Sequence, residues 1–314
     1  MTPAQRPALG IGLILLMVSC FASMDSTIRY LGGFLPVLLI LWARYSVQAI
    51  SMTVYLGQQR LRGRAGVFRA AHPKFQLVRG LLLLATSAMS FYGVQYMPVA
   101  EFTAINMLTP VLVTLLAALV LHERVSRLRW ALVVGGFAGA LIVIRPGSGL
   151  FGWAVLFPLA GALFYAAFQT LTSKLSALEN PYTTHFYTGI TGMLLLSLLL
   201  AAGPIPVWQT LSQAPAWQWG LLLFIGVLGT SGHLFLILAL GLAPTGTLMP
   251  FVYAQIGVAA AIGWFAFGHA PDRYAWLGMA VLSASGALSA WLNVREAQAQ
   301  RRPPSPVLQD TIAD

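Results

Sequence analysis

Residues 8–31, ALGIGLILLMVSCFASMDSTIRYL, decide the fold. A helix needs about 20 apolar residues to cross roughly 30 Å of hydrocarbon, and this run supplies them. Yet it contains Asp25 and Arg29, and the next apolar run, 35–57, contains Arg44. A charge at bilayer depth costs at least ~2.5–3.5 kcal/mol unless it faces protein or a water-filled cavity. Three such groups predict a membrane bundle with a polar interior, and a polar interior predicts passage of a solute.

Composition agrees. Of 314 residues, 58% are hydrophobic and 8% charged, with a mean hydropathy of +0.78. Soluble domains carry about 25% charged residues, so this chain lacks the polar surface to cover a water-soluble globule. The net charge of +10 would indicate nucleic acid in a soluble protein. Here the placement of Lys and Arg explains it, and no nucleic acid partner is expected. Cys20 is the single cysteine, so no disulfide framework exists. It ends Met17-Val18-Ser19-Cys20, a string like a lipoprotein cleavage site. With many spans following, the first segment is read as a retained helix and not a signal peptide.

Ten spans are predicted, near 8–31, 35–57, 77–97, 99–120, 128–145, 150–173, 183–203, 217–241, 246–268 and 274–293. Gly32-Gly33, Met97-Pro98, Arg145-Pro146-Gly147 and Ala243-Pro244 mark tight turns between them. One side receives Arg6, the run Arg60, Arg62, Arg64, Arg69, Lys74 and Arg79, then Arg124, Arg127 and Arg129, Lys174, and Arg295, Arg301 and Arg302; the other receives Arg145 and Arg273. The positive-inside bias places both termini in the cytoplasm, which requires an even number of spans. Trp208, Trp217 and Trp219 are expected in an aromatic belt on the outer side.

The second half echoes the first at an offset of about 145 residues. Trp130-Ala131-Leu132 and Gly139-Ala140-Leu141 return as Trp276-Leu277-Gly278 and Gly286-Ala287-Leu288. Each half has five spans, an odd number, so the second sits upside down on the first, a plan of secondary transporters. The expected organisation is a cytoplasmic N-terminus (1–7), a first repeat (8–145), a second repeat (150–293) and a disordered cytoplasmic tail (294–314). The fold class is all-α integral membrane, ten transmembrane helices as two inverted five-helix repeats around a central cavity. That cavity is expected between spans one, three, four, six, eight and nine.

Val99-Ala100-Glu101-Phe102-Thr103-Ala104-Ile105, Pro110, Leu121-His122-Glu123-Arg124-Val125, Trp130 and Arg145-Pro146-Gly147 resemble the first-half signature of the EamA family of the drug/metabolite transporter superfamily. Pro250-Phe251-Val252-Tyr253, Phe267-Gly268 and Pro271-Asp272 resemble its second half, with His269 where family members usually carry an acid. The resemblance implies the inverted-repeat fold and transport of small organic solutes: amino acids and their derivatives, nucleosides, S-adenosylmethionine or riboflavin. Phe21 to Ser26 with Leu41 to Tyr45 resemble members handling vitamin or S-adenosylmethionine uptake.

Asp25 and Arg29, four apart on one helical face, are expected to pair, either as a structural pair or as coupling or gating groups. Arg44, deep in its span, is expected to face inward, as a partner for Asp25 or backbone carbonyls, or as a donor to the solute. Glu101 is read as a carboxylate favoured at a helix start or as a proton-coupling group. Tyr92, Gln95, Tyr96, Asn106, Tyr165, Gln169, His233, Tyr253 and Gln255 dot apolar spans. Each alone fits an interhelix hydrogen bond; together they suit a flat, polar, ring-bearing solute. The substrate set is therefore Arg44, Tyr92, Gln95, Asn106, Tyr165, Gln169, His233 and Tyr253. Gly135, Gly136, Gly139, Gly278 and Gly286 are read as close-packing positions.

Enzyme readings fare poorly. Gly229-Thr230-Ser231-Gly232 matches an intramembrane serine-protease motif, but His233 is only two residues on and points to another helix face. His122-Glu123 starts a metalloprotease-like string that lacks its second ligand, Ser126 standing in its place. No cofactor or metal is expected. The partners are the lipid bilayer, a small-molecule solute and, as coupling ion, protons, with the chain a monomer or homodimer. The expected function is inner-membrane secondary transport by alternating access, with export of amino acids, or a non-transporting membrane scaffold, as the alternatives.

Overall fold

The structure, a computed structural model, describes residues 7–109, 111–112, 127–145, 151–175, 178–242, 248 and 251–301. Pro110, Leu121 to Val125, Pro146-Gly147, Ala243-Pro244 and Pro250 lie outside the described residues, as does the expected fourth span beyond residue 112. The elements among the described residues are helices: α1 (Pro7–Leu31), α2 (Val37–Leu61), α3 (Pro73–Tyr96), α4 (Val99–Asn106), α5 (Arg127–Ile144), α6 (Leu156–Leu175, entered by a 3-10 turn at Gly152–Val155), α7 (Pro181–Ala202), α8 (Val207–Gln213), α9 (Ala216–Leu242), α10 (Ala254–Phe267) and α11 (Arg273–Arg301). Among the described residues six stretches are long and apolar enough to cross a membrane: Ala8–Leu31, Val37–Leu61, Pro73–Tyr96, Gly152–Thr172, Pro181–Ala202 and Ala216–Leu236.

Prolines and short polar side chains set the helix starts. Pro73 and Pro181 occupy first-turn positions, where a missing N–H costs nothing. Asn180 Oδ1 accepts from Tyr182 N at 2.9 Å, and Asp272 Oδ1 accepts from Ala275 N at 2.8 Å, each satisfying an orphan donor. Gly268, at φ 66°, closes α10 in the left-handed region.

Several boundaries differ from expectation, α4 ending at Asn106 inside the fourth span and α10 starting at Ala254 inside the ninth among them. α8 was not anticipated; it follows Pro206 in the link to α9. α11 runs on through Arg301, so residues 294–301, assigned above to a disordered tail, are helical. The stretch is rich in Ala, Arg, Glu and Gln, all good helix formers. α3 begins at Pro73, so Arg79, counted above with the loop cations, lies inside the helix and is 8% exposed.

The seams follow a pattern. α1 packs on α9, α3 on α6, α2 on α7 and α5 on α11; α2 also meets α9, α3 meets α7, and α10 meets both α1 and α4. Glycines set the closest of these, and all five anticipated positions pack tightly within the chain. A Cβ on Gly278 would sit 2.6 Å from the Gly139 carbonyl oxygen and 2.9 Å from Val143 N, backbone atoms that cannot step aside. Gly135 meets Ser285, Gly136 meets Val111, and Gly286 takes the Tyr253 ring. Large apolar side chains such as Leu198, Val134, Trp264 and Phe265 stay exposed, as surfaces facing acyl chains should. Trp208, Trp217 and Trp219 are exposed near the α8–α9 link, and Trp217 packs on Tyr30 and Phe34.

Candidate functional site

Arg44 is 2% exposed and points inward from α2. α9 makes room for it with a glycine: a methyl on Gly229 would lie 3.1 Å from Arg44 Nε and 3.2 Å from Met24 Sδ. The guanidinium carbon sits 4.3 Å from the Tyr45 ring centroid, and Tyr45 is held by Ser87 Oγ at 3.0 Å. Arg44 Nε and Nη1 are nonetheless buried with no hydrogen-bond partner among the described residues. A buried cation with idle donors is costly, so its retention needs a reason.

His233, on the same face of α9 as Gly229, bonds the Gly229 carbonyl oxygen through Nδ1 at 2.9 Å. Its ring lies edge-on to Phe21 and 5.8 Å from the His185 ring. His185, on α7, is fastened by Gln48 of α2: Gln48 Nε2 is 3.2 Å from His185 Nδ1 and 3.0 Å from its carbonyl oxygen. The Nε2 atoms of both histidines and Gln48 Oε1 are buried without partners among the described residues. Asp25, His185, His233 and Tyr165 all lie within electrostatic reach of Arg44. This polar group at the centre of the bundle draws on α1, α2, α6, α7 and α9, so spans two and seven join the set expected to surround the interior.

A second group closes the end of the bundle that carries the arginine-rich α2–α3 loop. Arg79 Nε donates to Thr172 Oγ1 (2.7 Å), and its Nη1 to Thr188 Oγ1 (2.9 Å) and the Thr184 carbonyl oxygen (3.3 Å). Gln76 Nε2 donates to Thr184 Oγ1 at 3.0 Å. One side chain thereby ties α3 to α6 and α7. Below it the loop is held by Thr183 Oγ1 to the Val67 carbonyl, and by Glu179, which accepts from Ala71 N and His72 N.

The opposite end contradicts one expectation. Arg29 does not pair with Asp25. Its Nη1 donates to the Val94 carbonyl at 3.1 Å and to the Met97 carbonyl, and its guanidinium lies 5.5 Å from the Phe267 ring centroid. Those carbonyls sit at and just beyond the C-terminus of α3, where backbone acceptors lack intrahelical donors and a cation is favoured. Among the described residues no basic nitrogen comes within 4.0 Å of Asp25, which is 7% exposed. Gln95 bonds the Ile28 carbonyl at 2.8 Å, stitching α3 to α1. Glu101 Oε1 meets His269 Nε2 at 3.1 Å while its Oε2, also buried, has no partner. His269, the departure from the family pattern, is thus the contact of Glu101. Nearby, Arg145 and Asp272 pair at 2.7 Å. Arg145 has φ 50°, a left-handed residue without glycine, a costly conformation for a side chain with a Cβ.

The other anticipated residues scatter. Tyr92 and Tyr96 stack on Phe157 in the α3–α6 seam. Asn106 Oδ1 is buried and unpartnered, near Gly161 and Ser90. Tyr253 presses on Gly286, its hydroxyl without a partner. Gln169 follows Tyr165 by one turn on α6. Gln48, Gln76, Arg79, Thr184, His185 and Thr188 were not anticipated. Ser231 has no hydrogen bond to a histidine among the described residues, and His233 Nδ1 is committed to Gly229, so a serine-protease reading lacks its base. No group of three or more His, Cys, Asp or Glu is placed to hold a metal ion among the described residues.

Residues 8–145 and 152–291 each match the EamA-like transporter family. The chain belongs to that family. It is therefore a multi-pass membrane protein of a transporter family. A riboflavin transporter of Rhizobium johnstonii is 34% identical over 69% of this chain and 70% of its own. An S-adenosylmethionine uptake transporter of Rickettsia bellii is 27% identical over 88% of this chain and 91% of its own. A solved crystal structure, 19% identical, superposes with a TM-score of 0.62 over 93% of this chain and 98% of its own, so the two share a fold.

Proposed function

We propose that this EamA-family chain is an inner-membrane secondary transporter that takes up a flat, carbonyl-bearing metabolite by alternating access, with riboflavin the first candidate and S-adenosylmethionine the second. The observation that carries the reading is Arg44: a buried guanidinium with two idle donors, among other polar groups, at the centre of an apolar bundle. A solute carbonyl or anionic group would satisfy it. Electrostatics separates the candidates. Arg44 lies within the group and Arg79 beside it, bonded to the carbonyl of Thr184 next to His185, and Asp25 is the one carboxylate in the central group among the described residues. A sulfonium cation is disfavoured there, and a neutral isoalloxazine is not.

The helix pairing supports ten spans in two inverted repeats. Exchange α1 with α6, α2 with α7, α3 with α9, α4 with α10 and α5 with α11. The α1–α9 seam then becomes α6–α3, α2–α9 becomes α7–α3 and α1–α10 becomes α6–α4, while α2–α7, α4–α10 and α5–α11 return to themselves; every one of these pairs is in contact. In this reading the arginine-rich α2–α3 loop faces the cytoplasm, as do both termini. Asp25 is the coupling carboxylate, Glu101 with His269 belongs to the outer gate, and Arg29 is a helix-end anchor.

The test is uptake of labelled riboflavin and S-adenosylmethionine into proteoliposomes. Riboflavin uptake is expected, at least tenfold lower for Arg44→Ala at matched reconstitution. Full transport by Arg44→Ala would remove Arg44 from the site. An imposed proton gradient should drive accumulation, and Asp25→Asn should abolish that drive. Uptake indifferent to the gradient would end proton coupling.

A further inference from the structure

The bonding partners of the two histidines fix which nitrogen carries the proton. His233 Nδ1 lies 2.9 Å from the Gly229 carbonyl oxygen. A carbonyl only accepts, so Nδ1 carries the hydrogen and Nε2 of the neutral ring is an acceptor. His185 Nδ1 faces Gln48 Nε2, an amide nitrogen that only donates. That amide is oriented by its second bond, to the His185 carbonyl oxygen at 3.0 Å; turned over, it would set two oxygens against each other. His185 Nδ1 therefore accepts, and its Nε2 carries the hydrogen.

Both Nε2 atoms are buried and unpartnered among the described residues, as are Arg44 Nε and Nη1. The three side chains are contiguous. Arg44 lies against Gly229, whose carbonyl holds His233, and the His233 and His185 rings are 5.8 Å apart and tilted by 30°. Followed along those contacts, Arg44, His233, His185, the idle groups read donor, acceptor, donor.

Resting on the uptake reading, we propose that this row binds an imide edge, the sequence carbonyl, N–H, carbonyl of a flat heterocycle. Arg44 donates to one carbonyl, His233 Nε2 accepts from the N–H, and His185 Nε2–H donates to the other carbonyl. The pyrimidine edge of riboflavin has that order at C2=O, N3–H and C4=O. The adenine edge of S-adenosylmethionine does not. A site built to pair a buried N–H discriminates strongly against an analogue that lacks it, because its own acceptor is left unpaired.

The experiment uses the full chain in proteoliposomes, with riboflavin and 3-methylriboflavin competing against labelled riboflavin. Methylation at N3 removes the hydrogen and sets a methyl against His233 Nε2. The expected result is at least about tenfold weaker competition by the methylated compound, the worth of one buried hydrogen bond left unmade. His233→Phe, which keeps a ring against Phe21, should bring the two competitors within about twofold of each other. Riboflavin transport with equal competition by both compounds overturns the imide edge and leaves the uptake reading standing. The reverse is also separable. If riboflavin is not carried, but lumazine, a smaller bicyclic imide, protects the protein from thermal unfolding while 3-methyllumazine does not, the imide edge stands and riboflavin falls. If neither riboflavin nor lumazine binds, both are overturned.

Discussion

The refusal of Arg29 to pair with Asp25 has a measurable energetic signature. Arg29→Met removes donors from the Val94 and Met97 carbonyls and a cation from the Phe267 ring. In a bilayer an interhelix hydrogen bond averages about 0.6 kcal/mol and reaches about 1.7. Charge-assisted bonds to otherwise orphaned helix-end carbonyls belong near the upper value, and the ring contact adds about 0.5–1 kcal/mol. Arg29 is half-buried, so little desolvation energy is recovered when it goes. The expected loss is about 2–4 kcal/mol. Asp25→Asn should leave that loss unchanged, because the two side chains do not touch. The assay is a double-mutant cycle by unfolding in mixed micelles, comparing wild type, Asp25→Asn, Arg29→Met and the double variant. A coupling energy below about 0.5 kcal/mol is expected for groups that share no contact. A coupling above about 1 kcal/mol would show that the pair forms after all and refute the reasoning.

Three further outcomes are expected. Gly278→Ala should cost about 1–3 kcal/mol, since its methyl meets the Gly139 and Val143 backbone; Gly12→Ala, with nothing within 4 Å of the new methyl, is the control by the same melting assay. Asp272→Ala should destabilise by about 1 kcal/mol through loss of the α11 cap. The Ala275 N–H, then Arg145, hold the Asp272 carboxyl below its ordinary pKa of 3.8, so this difference is full at neutral pH and fades as the pH falls through that lowered value, which a pH series of melts would read. His269→Ala should destabilise by about 1–3 kcal/mol by stripping the buried Glu101 of its partner, and adding Glu101→Gln should recover part of the loss in thermal unfolding.

The membrane class, the inward direction of Arg44 and the close packing of the glycines on α5 and α11 were legible because each is a local statement: length and apolarity, a charge too deep to reach water, small residues at helical spacing; that the two helices pack on each other was not. Arg79 was misplaced because a cation six residues into a helix looks like a loop cation when the helix start is set four residues late. His185 went unnoticed because Thr183-Thr184-His185 at the head of a span resembles an interfacial cap. The partner of Arg29 could not be read at all. Spacing of four permits a bond to Asp25, but the stronger competitors are carbonyls more than sixty positions along the chain, freed because α3 ends at Tyr96, two residues ahead of Pro98. Local pattern proposes partners; unsatisfied backbone elsewhere can outbid them.

The contact of Gly139 with Gly278 carries a mechanical consequence. At its tightest point the α5–α11 seam sets main chain against main chain, with the Val143 methyl and Leu282 Cβ closing in beside it. A rotamer change cannot lubricate such a joint, and sliding it by a fraction of a residue would drive carbonyl into Cα. Whatever rearrangement the rest of the bundle undergoes, these two helices travel as a single strut, and the displacement has to be absorbed at the softer joints on either side.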